Sequence, residues 1–189
     1  MRLFVALALP ESERERLTGL QRGLRSARWV APENLHLTLR FVGEVNRHVA
    51  ADVDDALMTL RFDSFPLALS GVGSFGEGRK LRALWVGVED NPLLMRLQAK
   101  IEQLLQRSGL PPEPRKYKPH VTLARFKGAV VDGRVESFLA DNARFRSQPF
   151  PVDQVVLYSS SLGRGGAVYR PEVTYPLRTE DPAVAFPGR

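Results

Sequence analysis

The sequence predicts an α+β fold built on antiparallel sheets, and two observations lead to this expectation. Strand-like and helix-like segments mix along the chain without the regular alternation that marks a parallel sheet. A helix, a proline-containing loop and a strand opening with His-x-Thr follow one another twice, once in each half of the 189 residues. We therefore expect two pseudo-symmetric lobes, each with an antiparallel sheet and outer helices, with an active-site groove between them.

The first half is predicted to contain five strands or extended pieces and two helices. Residues 2–9 (RLFVALAL) form a buried strand rather than a signal sequence, because no small-residue cleavage site follows and an acidic amphipathic stretch begins at once. Pro10 and Glu11 open a helix to about residue 26, where the helix dipole favours an acidic first turn. The other predicted elements are an extended piece at 28–30, a strand at 35–42 stopped by Gly43, a helix from the N-cap Asn46 to about 61, and strands at 65–75 and 81–88.

The second half repeats this plan. Asn91 and Pro92 open a helix with apolar residues at helical spacing, ended by Gly109. A proline-rich loop over 110–119 leads to a strand at 120–126, a short helix at 132–142, and two strands at 150–160 and 167–178 joined by a glycine-rich turn. We expect residues 1–178 to form one bilobal domain and residues 179–189 to be a flexible tail.

Composition limits the possible functions. The formal net charge is +6, and of 27 cationic residues only five are lysine, namely Lys80, Lys100, Lys116, Lys118 and Lys127. A basic, arginine-rich surface attracts polyanions and suits phosphate, although an arginine-biased genome explains the excess equally well. Charge therefore supports a phosphate ligand without identifying one.

Two features that the sequence lacks, cysteine and a long apolar run, bear on where the protein is located. The chain has no cysteine, which rules out disulfides and thiolate metal sites and fits a cytoplasmic protein. No apolar run approaches the roughly 20 residues of a membrane helix. We therefore expect no membrane association. We also expect a monomer, because the two predicted lobes could bury each other's faces.

The chemistry is indicated by two of the three histidines. His36 opens the stretch HLTLRF and His120 opens HVTLARF, each after a loop that contains proline. With about one residue in twenty being Thr and one in ten Leu, two matches to His-x-Thr-Leu should arise by chance about once in ten thousand chains. One such tetrapeptide carries no information, whereas the pair does. His48 has no such frame and is predicted to be a surface residue near a helix start.

Strand geometry gives this HxTx spacing its meaning. Side chains at i and i+2 share a face, so His36 projects with Thr38, and His120 with Thr122. If the two strands lie side by side, two imidazoles and two hydroxyls line one groove, with one histidine acting as base and the other as acid. The hydroxyls would donate to the non-bridging oxygens of a phosphate. Two dispersed histidines do not make a zinc site, so no metal is expected.

At these residues the sequence resembles the two-histidine (2H) phosphoesterases, and in particular the bacterial and archaeal RNA 2′,3′-cyclic phosphodiesterases, also called 2′-5′ RNA ligases. The resemblance spans nearly the whole chain and rests on residues 2–6 (RLFVA), 32–39 (PENLHLTL), 41–45 (FVGEV), 84–88 (LWVGV), 119–125 (PHVTLAR) and 157–161 (LYSSS). It implies a bilobal α+β fold and hydrolysis of a terminal 2′,3′-cyclic phosphate to a 2′-phosphate without metal or cofactor.

The resemblance also implies roles for individual residues. His36 would be the proton donor and His120 the proton acceptor, while Thr38, Thr122 and Arg125 would bind the phosphate. Strict alternation, however, places Arg125 on the face opposite His120, so that it reaches the groove only through a bulge or a strand end. On geometry alone Arg40, in phase with His36, is the better phosphate ligand.

Two aromatic residues are further candidates for substrate binding. Phe41 and Tyr117 could stack on a base, although alternation places Phe41 on the core face with Leu37 and Leu39. The expected partners are RNA with 2′,3′-cyclic phosphate ends or small cyclic nucleotides.

Three other functions remain open for the same groove. A non-catalytic RNA-binding module could use the same groove, but binding alone would work as well with Arg or Lys. An ATP-independent ligase would run the reverse reaction at the same site, and a sister enzyme would act on a small cyclic nucleotide.

Overall fold

The computed structural model describes residues 1–127, 133–163 and 166–179 of the chain. Its strands are β1 (Arg2–Ala8), β2 (Arg28–Trp29), β3 (His36–Glu44), β4 (Phe65–Leu67), β5 (Leu69–Phe75), β6 (Ala83–Val88), β7 (His120–Arg125), β8 (Phe150–Val152), β9 (Gln154–Gly163) and β10 (Gly166–Pro176). Its α-helices are α1 (Glu11–Leu20), α2 (Arg47–Met58), α3 (Pro92–Arg107) and α4 (Arg134–Asn142). The predicted α+β class is confirmed.

One large sheet dominates the fold. Its strand order is β10-β9-β1-β3-β7-β6-β5, with β2 paired to β7, and β4 and β8 form a separate two-stranded sheet. The named strands pair antiparallel throughout. Each half of the chain was expected to have its own sheet. Instead, the two halves join at the centre, where β3 and β7 share the register pair Leu37 and Val121.

The helices form as their sequences predict. Asn46 and Asn91 cap α2 and α3, because their side-chain oxygens accept hydrogen bonds from the backbone N–H of Val49 and of Leu93 and Leu94. The apolar face of α3 buries Leu94, Leu97, Ile101 and Leu105. These side chains belong to the same core cluster as Leu37 of β3 and Val121 of β7, so the core lies on one face of the central strands.

Several predicted boundaries differ from the structure. α1 ends at Leu20 rather than near residue 26, because the backbone of Gln21 leaves the helical conformation with ψ 71°. The side-chain amide of Gln21 donates to the carbonyls of Val30 and Leu123 at 2.8 and 3.2 Å. The predicted strands 65–75 and 150–160 are each divided in two, because β4 and β8 pair with each other outside the main sheet.

Some predictions lie outside the described residues. Position 132 of the fourth predicted helix, positions 164–165 of the last hairpin turn and residues 180–189 of the predicted tail fall there. Among the described residues, no helix is long and apolar enough to span a membrane.

Candidate active site

The two His-x-Thr strands lie side by side at the centre of the sheet. The antiparallel register at Leu37 and Val121 places His36 opposite Thr122, and Thr38 opposite His120. All four side chains line one cleft of about 500 Å³. The expectation that the two imidazoles and two hydroxyls share a groove is confirmed.

A β-bulge follows the threonine in each strand. On β1, Ala6 pairs with Thr38 but Val5 pairs with Arg40, so Leu39 is an extra residue in β3. On β6, Trp85 pairs with Thr122 but Leu84 pairs with Ala124, which makes Leu123 the extra residue in β7. Each bulge shifts the alternation of side chains by one position. Both strands consequently show the same burial sequence from His36 to Phe41 and from His120 to Arg125.

Both Arg40 and Arg125 line the cleft, but the bulges leave Arg40 buried and Arg125 exposed. Arg125 lines the cleft and its charge acts on both imidazoles, so the placement implied by the resemblance is met, while the objection from strict alternation was wrong.

Arg40, in contrast, is turned towards α3 with a side chain only 6% exposed. Its guanidinium bonds to the Glu102 carboxylate and to the carbonyls of Phe41 and Pro111. The geometric preference for Arg40 as phosphate ligand is not supported, because every guanidinium nitrogen already has a partner within the protein.

The two aromatic candidates also differ from expectation. Phe41 is 46% exposed and lines the cleft, so its predicted core position was wrong for the same reason, the bulge at Leu39. Tyr117 is half-buried in the cleft wall, and its hydroxyl donates to the Thr38 carbonyl at 3.2 Å. Burial raises the pKa of Tyr117. His48 is exposed on α2, as predicted.

Each catalytic candidate is oriented by a carbonyl two residues before it. Nδ1 of His36 lies 2.7 Å from the Asn34 carbonyl oxygen, and Nδ1 of His120 lies 2.7 Å from that of Lys118. A carbonyl only accepts, so Nδ1 carries the proton in both neutral imidazoles and Nε2 is left for other partners. Nε2 of His36 lies 3.1 Å from the Thr38 hydroxyl oxygen.

Aromatic rings surround both imidazoles. His36 contacts Phe4, Tyr158 and Tyr169, with ring centroids 4.8, 6.2 and 5.2 Å away. His120 contacts Phe75 at 4.8 Å and Trp85 at 6.3 Å. These contacts could not be predicted from the sequence, because only the strand order places β1, β9 and β10 on the β3 side of the cleft and β6 and β5 on the β7 side.

This environment disfavours the imidazolium form. Burial lowers the pKa of His36 to about 4, and the charges of Arg125 and His120 add to the effect, against the hydrogen bond to Asn34, which raises it. Burial also lowers the pKa of His120, with Arg125 and Lys118 contributing, against the hydrogen bond to Lys118. Both imidazoles are therefore neutral near pH 7 in the free protein.

The side of the cleft next to His120 is strongly cationic. Arg115, Lys116, Lys118 and Arg125 all line it. The Lys118 ammonium lies 4.4 Å from the centroid of the Trp85 ring, a cation–π geometry. Within residues 1–127, 133–163 and 166–179, no group of three His, Cys, Asp or Glu side chains is placed to hold a metal ion. The cleft is thus equipped for an anion and for proton transfer by imidazole.

Paired strands that each present a histidine and a threonine to one shared cleft define the class of two-histidine phosphoesterases. Sequence comparison specifies the family. The family described as LigT like Phosphoesterase matches the chain twice, over residues 7–85 and 86–169, and the chain belongs to this family. Each match contains one of the two His-x-Thr strands, as expected for an internally duplicated fold.

Individual relatives are similar over most of their length. The RNA 2′,3′-cyclic phosphodiesterase of Aeropyrum pernix is 37% identical over 142 residues, covering 75% of this chain and 81% of the relative. That of Methanothermobacter thermautotrophicus is 31% identical over 175 residues, covering 89% and 95%.

Solved structures agree with this relationship. A Thermus thermophilus protein is 28% identical, with a TM-score of 0.80, and the match covers 96% of this chain and 100% of that protein. Escherichia coli LigT complexed with 3′-AMP is 30% identical, with a TM-score of 0.76 and coverage of 93% and 97%.

Proposed function

We propose that this protein hydrolyses RNA-terminal 2′,3′-cyclic phosphodiesters to 2′-phosphomonoesters by acid–base catalysis with two histidines. The observation that carries the proposal is the pair of imidazoles in one cleft, each with Nδ1 held by a carbonyl and Nε2 left for chemistry. A binding module would not need two histidines oriented in the same way.

The reaction follows from this arrangement. Nε2 of neutral His120 accepts a proton from water as the water oxygen attacks phosphorus. The P–O3′ bond breaks, and Nε2 of protonated His36 gives its proton to the departing O3′, leaving the phosphate on O2′. The opposite placement of attack and departure matches two histidines contributed by two separate strands. No metal takes part in these steps.

Three groups stabilise the charge that builds on the non-bridging oxygens. The hydroxyls of Thr38 and Thr122 donate to these oxygens, and Arg125 supplies a positive charge at the edge of the cleft. Because His36 has a pKa of about 4 in the free protein, it must take up its proton together with the substrate. The negative phosphate favours this uptake, since a nearby opposite charge raises the pKa of an imidazole.

The substrate class is supported by the relatives and by the cleft. The curated relatives are named RNA 2′,3′-cyclic phosphodiesterases, and E. coli LigT was solved with 3′-AMP. The half-exposed Phe41 ring in the cleft offers a stacking surface for the terminal base. Ligation of 2′-5′ ends is the reverse reaction at this site and requires two RNA ends to be held together.

The test is hydrolysis of an oligoribonucleotide ending in a 2′,3′-cyclic phosphate, in EDTA, by the wild type and by His36→Ala, His120→Ala and His48→Ala. We expect each of the first two variants to lose at least about a hundredfold in kcat. His48→Ala is the matched control and should keep full activity, because His48 is exposed on α2. A substrate that is bound but left intact by the wild type would instead support a binding module.

A further inference from the structure

The side chain of Arg40 has no counterpart in the second half of the molecule. The two strands share the position of the bulge and the burial sequence, so the position equivalent to Arg40 in β7 is Ala124, which is fully buried in the apolar core. The His-x-Thr frame therefore does not itself require an arginine here. A charged group only 6% exposed needs another explanation.

Arg40 connects three separate elements. Its guanidinium bonds to Glu102 of α3, to the carbonyl of Phe41 in its own strand, and to the Pro111 carbonyl at 2.5 Å, and it lies 3.7 Å from the Glu113 carboxylate. Pro111 and Glu113 belong to loop 111–119, the later part of the segment between α3 and β7. Arg40 thus joins one catalytic strand to the loop that leads into the other.

The two glutamates complete this cluster. Glu102 accepts a hydrogen bond from the backbone N–H of Glu113 at 3.0 Å and from the Gln106 amide at 2.7 Å. Burial raises the pKa of Glu102, but the hydrogen bonds from Gln106, Glu113 and Arg40 outweigh it and hold the pKa below its ordinary value. The carboxylate is therefore charged at neutral pH and pairs with the arginine.

Loop 111–119 has a direct connection to the chemistry. It ends at His120, and its Lys118 carbonyl is the acceptor for Nδ1 of that histidine. The sheet holds only the end of the loop, where His120 pairs with Gly87 of β6, and towards β3 the strand β7 has the single register pair Leu37 and Val121. The loop also contacts β3 through the hydrogen bond from the Tyr117 hydroxyl to the Thr38 carbonyl. The position of the Lys118 carbonyl therefore depends on side-chain contacts, of which the Arg40 cluster is the most buried.

We infer that Arg40, with Glu102 and Glu113, is a positioning residue that fixes loop 111–119 and, through the Lys118 carbonyl, orients the His120 imidazole. His36 does not depend on this cluster, because its acceptor is the Asn34 carbonyl in a different loop. The kinetic part of this inference rests on the proposed function, whereas the effect on the orientation of His120 does not.

The test uses the double variant Arg40→Met/Glu102→Gln, which removes the ion pair without leaving a buried carboxylate unpaired. The matched control is Arg178→Met/Asp63→Asn, an exposed ion pair at 2.9 Å that does not line the cleft. NMR titration of the histidine Cε1–H signals reports both imidazoles. With a nucleoside 2′,3′-cyclic phosphate as substrate, steady-state kinetics separates kcat from KM.

We expect the His120 signal to shift and its pKa to fall further, because the hydrogen bond to Lys118 is the contact that raises it, while His36 titrates as in the wild type. We expect kcat to fall at least about tenfold with KM changed less than about threefold. If the double variant does not fold, Arg40→Lys, which keeps the charge but loses the planar fork, should show the same changes at reduced size.

Two results would overturn the inference. One is a folded variant whose His120 signal and kcat match those of the control. The other is a loss confined to KM, which would make Arg40 a substrate contact. If the wild type hydrolysed no cyclic phosphate, the proposed function would fail, and the NMR comparison would still decide the role of Arg40.

Discussion

Replacing Arg125 with glutamine tests the consequence of the bulge at Leu123. The bulge brings Arg125 into the cleft beside the proposed phosphate site, where its charge also acts on His36 and His120. A charge-assisted hydrogen bond contributes about 1.5–3 kcal/mol, which corresponds to a loss of about 10- to 150-fold in kcat/KM. Glutamine keeps a donor of similar shape, so the loss reports the charge more than the packing.

The same substitution should also move the pH profile. Arg125 lowers the pKa of both imidazoles, so removing it raises both values, and the optimum of kcat/KM shifts to higher pH. The assay is kcat/KM for a nucleoside 2′,3′-cyclic phosphate between about pH 4 and 9.

The control is Arg28→Gln, since Arg28 pairs with Arg125 across β2 and β7 but is exposed and does not line the cleft. It removes the same net charge and should leave both the rate and the optimum unchanged. An Arg125 variant that keeps the wild-type kcat/KM, or loses activity without a shift of the optimum, would refute the reasoning.

Three further predictions concern the two histidines and Phe41. For the wild type, kcat/KM should be greatest below pH 6.5, because the pKa values of both free imidazoles are lowered; an optimum above about pH 7 would contradict this. The free energy of unfolding should decrease as the pH falls from 6.5 towards 4, by at most about 3 kcal/mol from His36, because the unfolded chain takes up this proton first. In denaturant titrations His36→Gln should lose that part of the pH dependence, and an unchanged slope would argue against the buried neutral imidazole. Phe41→Ala should raise KM by about 5- to 150-fold through lost base stacking, with kcat and thermal stability nearly unchanged because the ring is half-exposed; a lower melting temperature with unchanged KM would mean that the ring only packs.

Much of the fold and the centre of the site could be predicted from the sequence. The duplicated His-x-Thr frames predicted that His36 and His120 would share a cleft, and Asn46 and Asn91 marked the starts of two helices. These signals are local, since a cap depends on its own helix and the i, i+2 spacing on its own strand. The His-x-Thr-Leu frame was also informative because two occurrences in one chain are much less probable by chance than one.

The exchanged positions of Arg40 and Arg125 could not be predicted from alternation. A bulge depends on how a strand pairs with its neighbour, here β3 with β1 and β7 with β6, and neither pairing is visible in the strand's own residues. Past the bulge the inward and outward faces are exchanged, so Phe41 and Arg125 present exposed side chains to the cleft, whereas the guanidinium of Arg40 is buried at the cleft wall and bound to Glu102 and to two carbonyls. For the same reason, the aromatic rings around each histidine became apparent only with the strand order.

The measurement that tests the central claim most directly is the ³¹P NMR spectrum of RNA ending in a 2′,3′-cyclic phosphate, recorded in EDTA before and after addition of the protein. The two-histidine mechanism predicts that the cyclic phosphate signal is replaced by that of a 2′-phosphomonoester, and that neither His36→Ala nor His120→Ala produces this change. A 3′-phosphomonoester product, an unchanged cyclic phosphate, or activity that disappears only in EDTA would contradict the account.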